Sequence, residues 1–575
     1  GSIMFASDRH GTREPFIPGA TPTSKAPPRL YVANADGTGV VDIAPHEVGG
    51  AMHPWLLNSG RVAYSSKWLS HNLPFVGTNG GINWFTTLEN MWVLADIDYR
   101  GGDMTALLGS HRNAINAADG RLKTMKALHF IGQRRNDDIC IGNYYRRNNL
   151  GLGDVWCFTP EPKLLEGPVP SFLPSNIYNL ANWSKSNDEA NFTTDRAKVG
   201  FPEGARNGQL IVTVGKGWCT RVAYSRTKTP GKIDNAGQIG CDAGIYKTTT
   251  IPSKELSDLE LIVDRPEWHE FNARIVKARN IPLTPVEDSG DGSCVIASSD
   301  AGSTDAHHYG KYQFSKMYKA MANNGGEIHG LSHDELAGIR FYELLPNGPR
   351  RVSNITGNDL RLLGDVPLLG DDSFVAKVPC DTPMLMTGVD EDGLIIKRDQ
   401  IPMSLRPGER RVCTGCHLHG SPGRPFESSL AATAVPVPLP AVGQRLPTWN
   451  DDVQAIMNQR CVSCHDVFGD YEKLTYDTTQ RHALVPVALR EDKRRWRREG
   501  LFRPATSKYV NSMFARESML YWVAAGQRTD GRSDEDYDDD LDYPADHPDV
   551  RLPPRELAIL AAWLDGGYPE AYTDE

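Results

Sequence analysis

Two short strings in this chain have the residue types and spacing to do chemistry: Cys413-Thr-Gly-Cys416-His417 and Cys461-Val-Ser-Cys464-His465. Two thiols three positions apart can form thioethers with the two vinyl groups of one porphyrin, and the imidazole that follows can then reach the iron. With 10 cysteines and 16 histidines among 575 residues, random placement would produce about 0.005 such strings. A zinc ribbon also pairs C-x-x-C motifs, but it has no need of a histidine directly after each one. The strings therefore read as attachment sites for two covalently bound c-type haems, with His417 and His465 as the proximal iron ligands.

Other side chains are candidates for the same sites. His482, Met513, Met519 and His547 all follow Cys464. A distal ligand must come from a segment crossing the far haem face, and here that segment leads into the last helix. His547 stands six residues before Pro553, on the loop entering that helix, and is expected to be the distal ligand of the second haem. Met519 is the alternative, giving a higher potential. His419 lies too close to His417 to reach the opposite face. His307-His308-Tyr309 follows a polar loop and either lines the first haem or is simply solvated. The acidic run Asp534–Asp542 is a solvated loop or a surface that steers a basic redox partner. The basic run Arg494–Arg498 would then neutralise it.

Composition narrows the function classes. An apolar fraction of 39 % with 23 % charged residues is ordinary for a soluble globular chain. The net charge is −10 and no basic stripe appears, which argues against nucleic acid as a partner. No apolar run reaches the roughly 18 residues of a membrane span. Covalent haem is attached outside the cytoplasm, so a periplasmic or otherwise extracytoplasmic location is expected, with any leader outside this numbering. Six further cysteines, Cys140, Cys157, Cys219, Cys241, Cys294 and Cys380, are then free to form disulfides in any of 15 connectivities. Buried free thiols are the alternative.

The elements that must position these residues fall into three stretches of a mainly β, multidomain chain. Residues 1–285 read as short strands separated by Gly, Asn and Asp turns: Arg29–Asn34 before an Asp36-Gly37 turn, then His53-Pro54-Trp55, then Gly60–Ser66 and Asn90–Gly102. Blades of about 40 residues would give a propeller of six or seven. Residues 286–448 form a β-rich middle domain carrying the first haem, with strands at Ile339–Leu345, Ser373–Pro379 and Gly393–Lys397. A helix is expected at Tyr309–Met321, and the Pro-rich run Ala431–Ala441 reads as an extended linker. Residues 449–575 form an α-helical, cytochrome c-like domain. Val453, Ile456 and Met457 have helical spacing just ahead of Cys461. A final helix, Pro554–Leu564, carries Leu557, Leu560, Trp563 and Leu564 on one face.

From about Ile339 onward the chain resembles the hydrazine synthase alpha-subunit family. The strings that carry the resemblance are Gly364-Asp-Val-Pro367, Asp371–Pro379, Asp390-Glu-Asp-Gly393, Leu405-Arg-Pro-Gly-Glu-Arg-Arg-Val-Cys-Thr-Gly-Cys-His417, and His547-Pro-Asp-Val-Arg-Leu552 through Ala562-Trp-Leu-Asp565. The resemblance implies a TolB-type propeller, a middle domain with a substrate-side haem, and a last domain with a bis-histidine haem whose distal ligand falls at His547. It also implies other subunits. The family has an iron-ligating tyrosine four residues after the first motif's histidine, where this chain has Ser421. The first haem is therefore expected to lack a strong distal protein ligand.

Two function classes follow, and a third is weaker. One is an oxidoreductase whose first haem acts on a small nitrogen or oxygen species while the second exchanges electrons with a partner such as a cytochrome. Another is a pure electron-transfer protein that uses the propeller as a docking platform. A dihaem peroxidase fits less well, because no second cytochrome domain precedes the first motif.

Overall fold

The computed structural model describes residues 2–11, 27–71, 74–76, 82–84, 87–109, 114–116, 122–124, 127–143, 151–160, 176–181, 183, 197–205, 207–217, 241–265, 267–276, 289–302, 336–345, 359–398, 402–414, 423–475, 509–510, 514–530 and 543–572. The expected helix at Tyr309–Met321, the His307-His308-Tyr309 triplet and both charge runs lie outside these residues.

Alternating side chains build the N-terminal part as a pile of antiparallel meanders. The first sheet contains Ser2–Ser7, Arg29–Asn34 and Val41–Asp42. The second contains Ala51–Leu56, Arg61–His71, Thr87–Asp98 and Thr105–Leu108. A third runs Leu128–Gln133, Ile139–Asn143, Asp154–Phe158 and Tyr178–Asn179. The fourth is Lys198–Gly204, Leu210–Gly217, Cys241–Thr248 and Leu259–Val263.

Successive residues of a strand point to opposite faces, and both faces of the inner sheets are buried. Val62 and Tyr64 pack back toward Leu30 and Ile43 of the first sheet. Ala63 between them packs forward with Leu94 against Ile139 and Ile141 of the third. Cys140, on the opposite face to its neighbours, joins Val155, Val199 and Val212 under the fourth sheet.

The sheets recur at a longer interval than expected. The first strand of the second, third and fourth sheets carries a register shift at a residue with positive φ: His53 at 56°, Phe130 at 60° and Phe201 at 52°. Their spacings are 130 − 53 = 77 and 201 − 130 = 71 residues. Asn272, with φ 55°, follows Phe201 after 272 − 201 = 71 residues. The described residues before 285 hold these four sheets and two two-stranded ribbons, Pro74–Val76 with Ile82–Trp84 and Ala114–Asn116 with Leu122–Thr124. Long excursions between strands stretch each repeat. A positive φ costs a bulky residue roughly 1–3 kcal/mol, and the bulge re-aims its side chain. Here the rings meet in a continuous seam, His53 to Phe130 at 4.4 Å and Phe130 to Phe201 at 4.1 Å between centroids.

The middle part is a two-sheet sandwich. Cys294–Ser298 lies between Phe374–Val378 and the parallel strand Arg410–Cys413. The facing sheet contains Ile395–Arg398, Met384–Val389, Gly338–Leu344 and Leu360–Pro367 in that order. Ile296, Phe341, Leu363, Phe374 and Met384 fill the space between the sheets. The Pro-rich run is extended, but it is not a free linker. Val437–Pro438 pairs with Ala376–Lys377 of one sheet, and just past the run Gln444–Arg445 pairs with Arg361–Leu362 of the other. Edge positions tolerate proline because its missing N–H faces outward.

The last part is helical. Helix α1, Gln454–Arg460, follows a wider turn at Trp449–Val453. Helix α2 is Tyr471–Thr475, α3 is Met519–Ala525 and α4 is Pro554–Asp565. Pro553 is the residue that caps α4, and Pro554 occupies its first turn. Ile456 and Met457 of α1 share a core with Leu560, Trp563 and Leu564 of α4. No helix among the described residues is long and apolar enough to cross a membrane.

A buried polar group sits where the second sheet meets the sandwich. His46 Nδ1 and Ser404 Oγ are 2.9 Å apart. Tyr64 and Ser66 donate hydroxyl hydrogens to Glu47 at 2.7 and 2.9 Å. Burial pushes the Glu47 carboxyl up to about 7, against those two hydrogen bonds, and pushes His46 down to about 3. Glu47 is raised above its ordinary 4.5, so its contribution is complete below that value and lost as pH rises through about 7. The loss is about 3 kcal/mol. His46 acts in the other direction and costs stability as pH falls below 6.5. The two oppose each other between pH 5 and 6.5, so Glu47→Gln should leave the melting temperature rising more steeply with pH over that range in calorimetric scans. An unchanged slope in the variant would show that Glu47 is ionised in the folded protein throughout.

Candidate functional site

Helix α1 delivers the second motif. The cap of α1 is Cys461, whose N–H donates to Met457 O at 2.8 Å. The chain then makes one more helical turn, with Cys464 and His465 N–H both donating to Cys461 O, at 3.1 and 3.0 Å. Residues at i, i+3 and i+4 share one helical face, so this turn brings both thiols and the imidazole to one side. Cys461 is half-buried against the helical core, whereas Cys464 and His465 are exposed. Neither cysteine is in a disulfide, and burial pushes the Cys461 thiol up. Arg460 fastens the turn to α4 through a two-pronged pair with Glu556, at 3.0 and 2.9 Å.

His547 faces His465 across 547 − 465 = 82 residues of sequence. The two rings are nearly parallel, 10° apart, with centroids at 5.8 Å. A metal held between two imidazoles at about 2 Å from each nitrogen would set the centroids about 6 Å apart, since a ring nitrogen lies ~1.1 Å from its centroid. His547 Nδ1 donates to the Pro548 carbonyl at 2.8 Å. A carbonyl only accepts, so Nδ1 carries a hydrogen, which leaves Nε2 as the nitrogen through which this ring could ligate. Ligating histidines are commonly oriented in this way. Phe468 stands edge-on to His465 at 5.2 Å and is itself braced by Tyr509. Among the alternatives, Met519 opens α3 and is half-buried; His482 and Met513 lie outside the described residues.

The donor set suits a group that brings most of its own ligands. Among the described residues no three His, Cys, Asp or Glu side chains gather around one point, as a site made from protein alone would require. Two opposed imidazoles suffice for an iron already held by four porphyrin nitrogens, and two thiols on the same turn suit its vinyl groups.

The first motif lies at the end of the sandwich. Strand Arg410–Cys413 runs parallel to Val295–Ser298, and Ser299 N–H donates to Cys413 O at 2.9 Å. Cys413 is not in a disulfide. Cys416, His417, His419 and Ser421 lie outside the described residues, but the ends of their loop meet. Gly423 stands so close to Thr414 that a Cβ there would come within 2.2 Å of Thr414 O.

Among the described residues, four of the other cysteines form two disulfides. Cys140 and Cys157 bridge neighbouring strands of the third sheet, and Cys294 and Cys380 join across the sandwich. The sequence left these pairings open and carries no local signal for them. It was equally silent on His46 and Glu47.

Residues 312–418 match the family model for the middle domain of the hydrazine synthase alpha subunit. No curated protein matches the sequence. The solved structure of Kuenenia stuttgartiensis hydrazine synthase is similar to this chain with a TM-score of 0.60 and 13 % identity, covering 99 % of this chain and 78 % of that one. At this identity the likeness is one of fold. The middle-domain match spans the first C-x-x-C-H string and the fold is shared along nearly the whole length, which makes this chain a hydrazine synthase alpha-subunit-like protein.

Proposed function

We propose that this chain is an exported dihaem c-type cytochrome that works as an oxidoreductase. In this reading Cys413 and Cys416 anchor the first haem above His417, where a small nitrogen or oxygen species is bound. Cys461 and Cys464 would anchor the second, with His465 and His547 as the side chains that would hold its iron, and this site would serve electron exchange with a partner protein. The near-parallel imidazoles of His465 and His547 beside Cys461 and Cys464, neither of them in a disulfide, are the observation that carries it. Haem, when bound, supplies one-electron exchange and, on an open face, a place for a small ligand. The share of the chain's own residues is to anchor, to orient the imidazoles and to shield one side of the site with Phe468.

Two disulfides support an extracytoplasmic location. The four stacked meanders support a propeller-like N-terminal part, one end of which would cover the first haem. The family relation supports assembly with other subunits.

Denatured protein should retain two equivalents of haem in the pyridine haemochrome assay. Its native ferric EPR spectrum should contain one high-spin and one low-spin signal. Haem released by acid acetone would end the covalent reading, and two low-spin signals would favour pure electron transfer.

A further inference from the structure

We infer that Glu409 is the positioning residue of the first haem motif, holding the strand that ends at Cys413 against the second sheet of the N-terminal part. The inference rests on reading Cys413–His417 as a haem site. It makes the N-terminal sheets part of that site's framework instead of a separable platform.

Glu409 closes the turn that begins at Arg406. Pro407 sets the first bend, Gly408 takes φ 86°, and Glu409 N–H donates to Arg406 O at 2.8 Å. The side chain is only 2 % exposed. Its Oε1 accepts from Asp103 N–H at 2.9 Å and from Arg411 Nε and Nη2 at 3.1 and 2.6 Å. Its Oε2 accepts from Arg406 N–H at 2.8 Å. Four donors thus occupy the roughly four acceptor sites of one buried carboxylate.

One of those donors comes from far away. Asp103 lies 306 residues earlier, on the turn between strands Thr87–Asp98 and Thr105–Leu108. The neighbouring Gly102 leaves room for the carboxylate, since a Cβ there would lie 3.0 Å from Glu409 Oε2. Arg406 adds a second tie, with Nη1 donating to Asp42 O at 3.3 Å. On the other side, Glu409 O accepts from Val295 N–H at 3.0 Å, and the strand runs straight on to Cys413 in parallel register with Val295–Ser298. Four residues of extended chain separate the carboxylate from the thiol, about 13 Å at the usual rise. A paired strand of that length transmits a displacement at one end to the other.

Two substitutions in the full-length holoprotein test this. Glu409→Gln puts amide hydrogens where only acceptors fit. Gly102→Ala crowds the same carboxylate from the opposite side and leaves every charge in place. Midpoint potentials of both haems are read by spectroelectrochemistry, with haem content from the pyridine haemochrome. Both variants should keep two haems, and the same single potential should move in each: that of the haem whose spectrum His547→Ala leaves unaltered. If Glu409→Gln does not fold, Gly102→Ala carries the test alone. Unshifted potentials in a folded variant, or a shift of the second haem, would overturn the positioning role. Wild-type protein with no haem on Cys413 and Cys416 would instead remove the haem reading on which it rests.

Discussion

Replacing His547 with alanine should abolish the low-spin signal of the second haem and leave the first haem's spectrum as it was. His547 is the imidazole that faces His465 at 5.8 Å and 10°, with its Nδ1 hydrogen committed to Pro548 O. Without it no other imidazole among the described residues faces His465. Alanine is expected to cost little elsewhere, because among the described residues the ring meets that carbonyl and His465. The variant should bind imidazole added to the buffer and regain the low-spin spectrum, which separates a missing ligand from a misfolded module. A variant that stays low-spin without added imidazole would pass the role to Met519, His482 or Met513.

Asp565→Ala should have the largest effect on stability, about 2–5 kcal/mol, from leaving buried backbone donors without acceptors. Asp565 ends α4 and is 1 % exposed. Its Oδ1 accepts from Ala515 N–H at 2.7 Å and its Oδ2 from Ile395 N–H at 3.3 Å. One carboxylate thereby joins the last helix, the segment before α3 and an edge strand of the sandwich. Arg516 reinforces the same junction through Asp390 at 2.9 Å. Urea unfolding followed by tryptophan fluorescence would report the loss, since Trp449, Trp522 and Trp563 are fully buried in this part. Asp565→Asn keeps one acceptor and should lose less. A midpoint unchanged in the alanine variant would mean that water replaces the carboxylate at both amides.

Much of this architecture was legible before any coordinates. The C-x-x-C-H spacing places two thiols and an imidazole on one turn, and the structure puts that turn directly after α1. The pattern Leu560, Trp563, Leu564 marked the buried face of α4. Strands at Arg29–Asn34, Thr87–Asp98 and Phe374–Val378 lie where alternating apolar residues stand between turn residues. These features are local. Backbone geometry repeats every 3.6 residues in a helix and every two in a strand, so a short stretch of sequence reports it.

What the sequence withheld is long-range. The carboxylate of Glu409 meets an amide 306 residues away, Cys294 meets Cys380 across 86, and His547 meets His465 across 82. The repeat of 71 to 77 residues was hidden because its mark is a backbone torsion, carried in turn by histidine, phenylalanine and asparagine. The Pro-rich run and the residues just after it became borders of the two sheets because both had edges to pair, not because of anything in their composition. Partners of this kind are chosen when whole sheets and helices pack, and packing depends on shapes assembled from distant segments. Sequence alone determined which residues could anchor and ligate a haem. Only the tertiary structure decided which imidazole stands opposite His465 and what holds the strand to Cys413 in place.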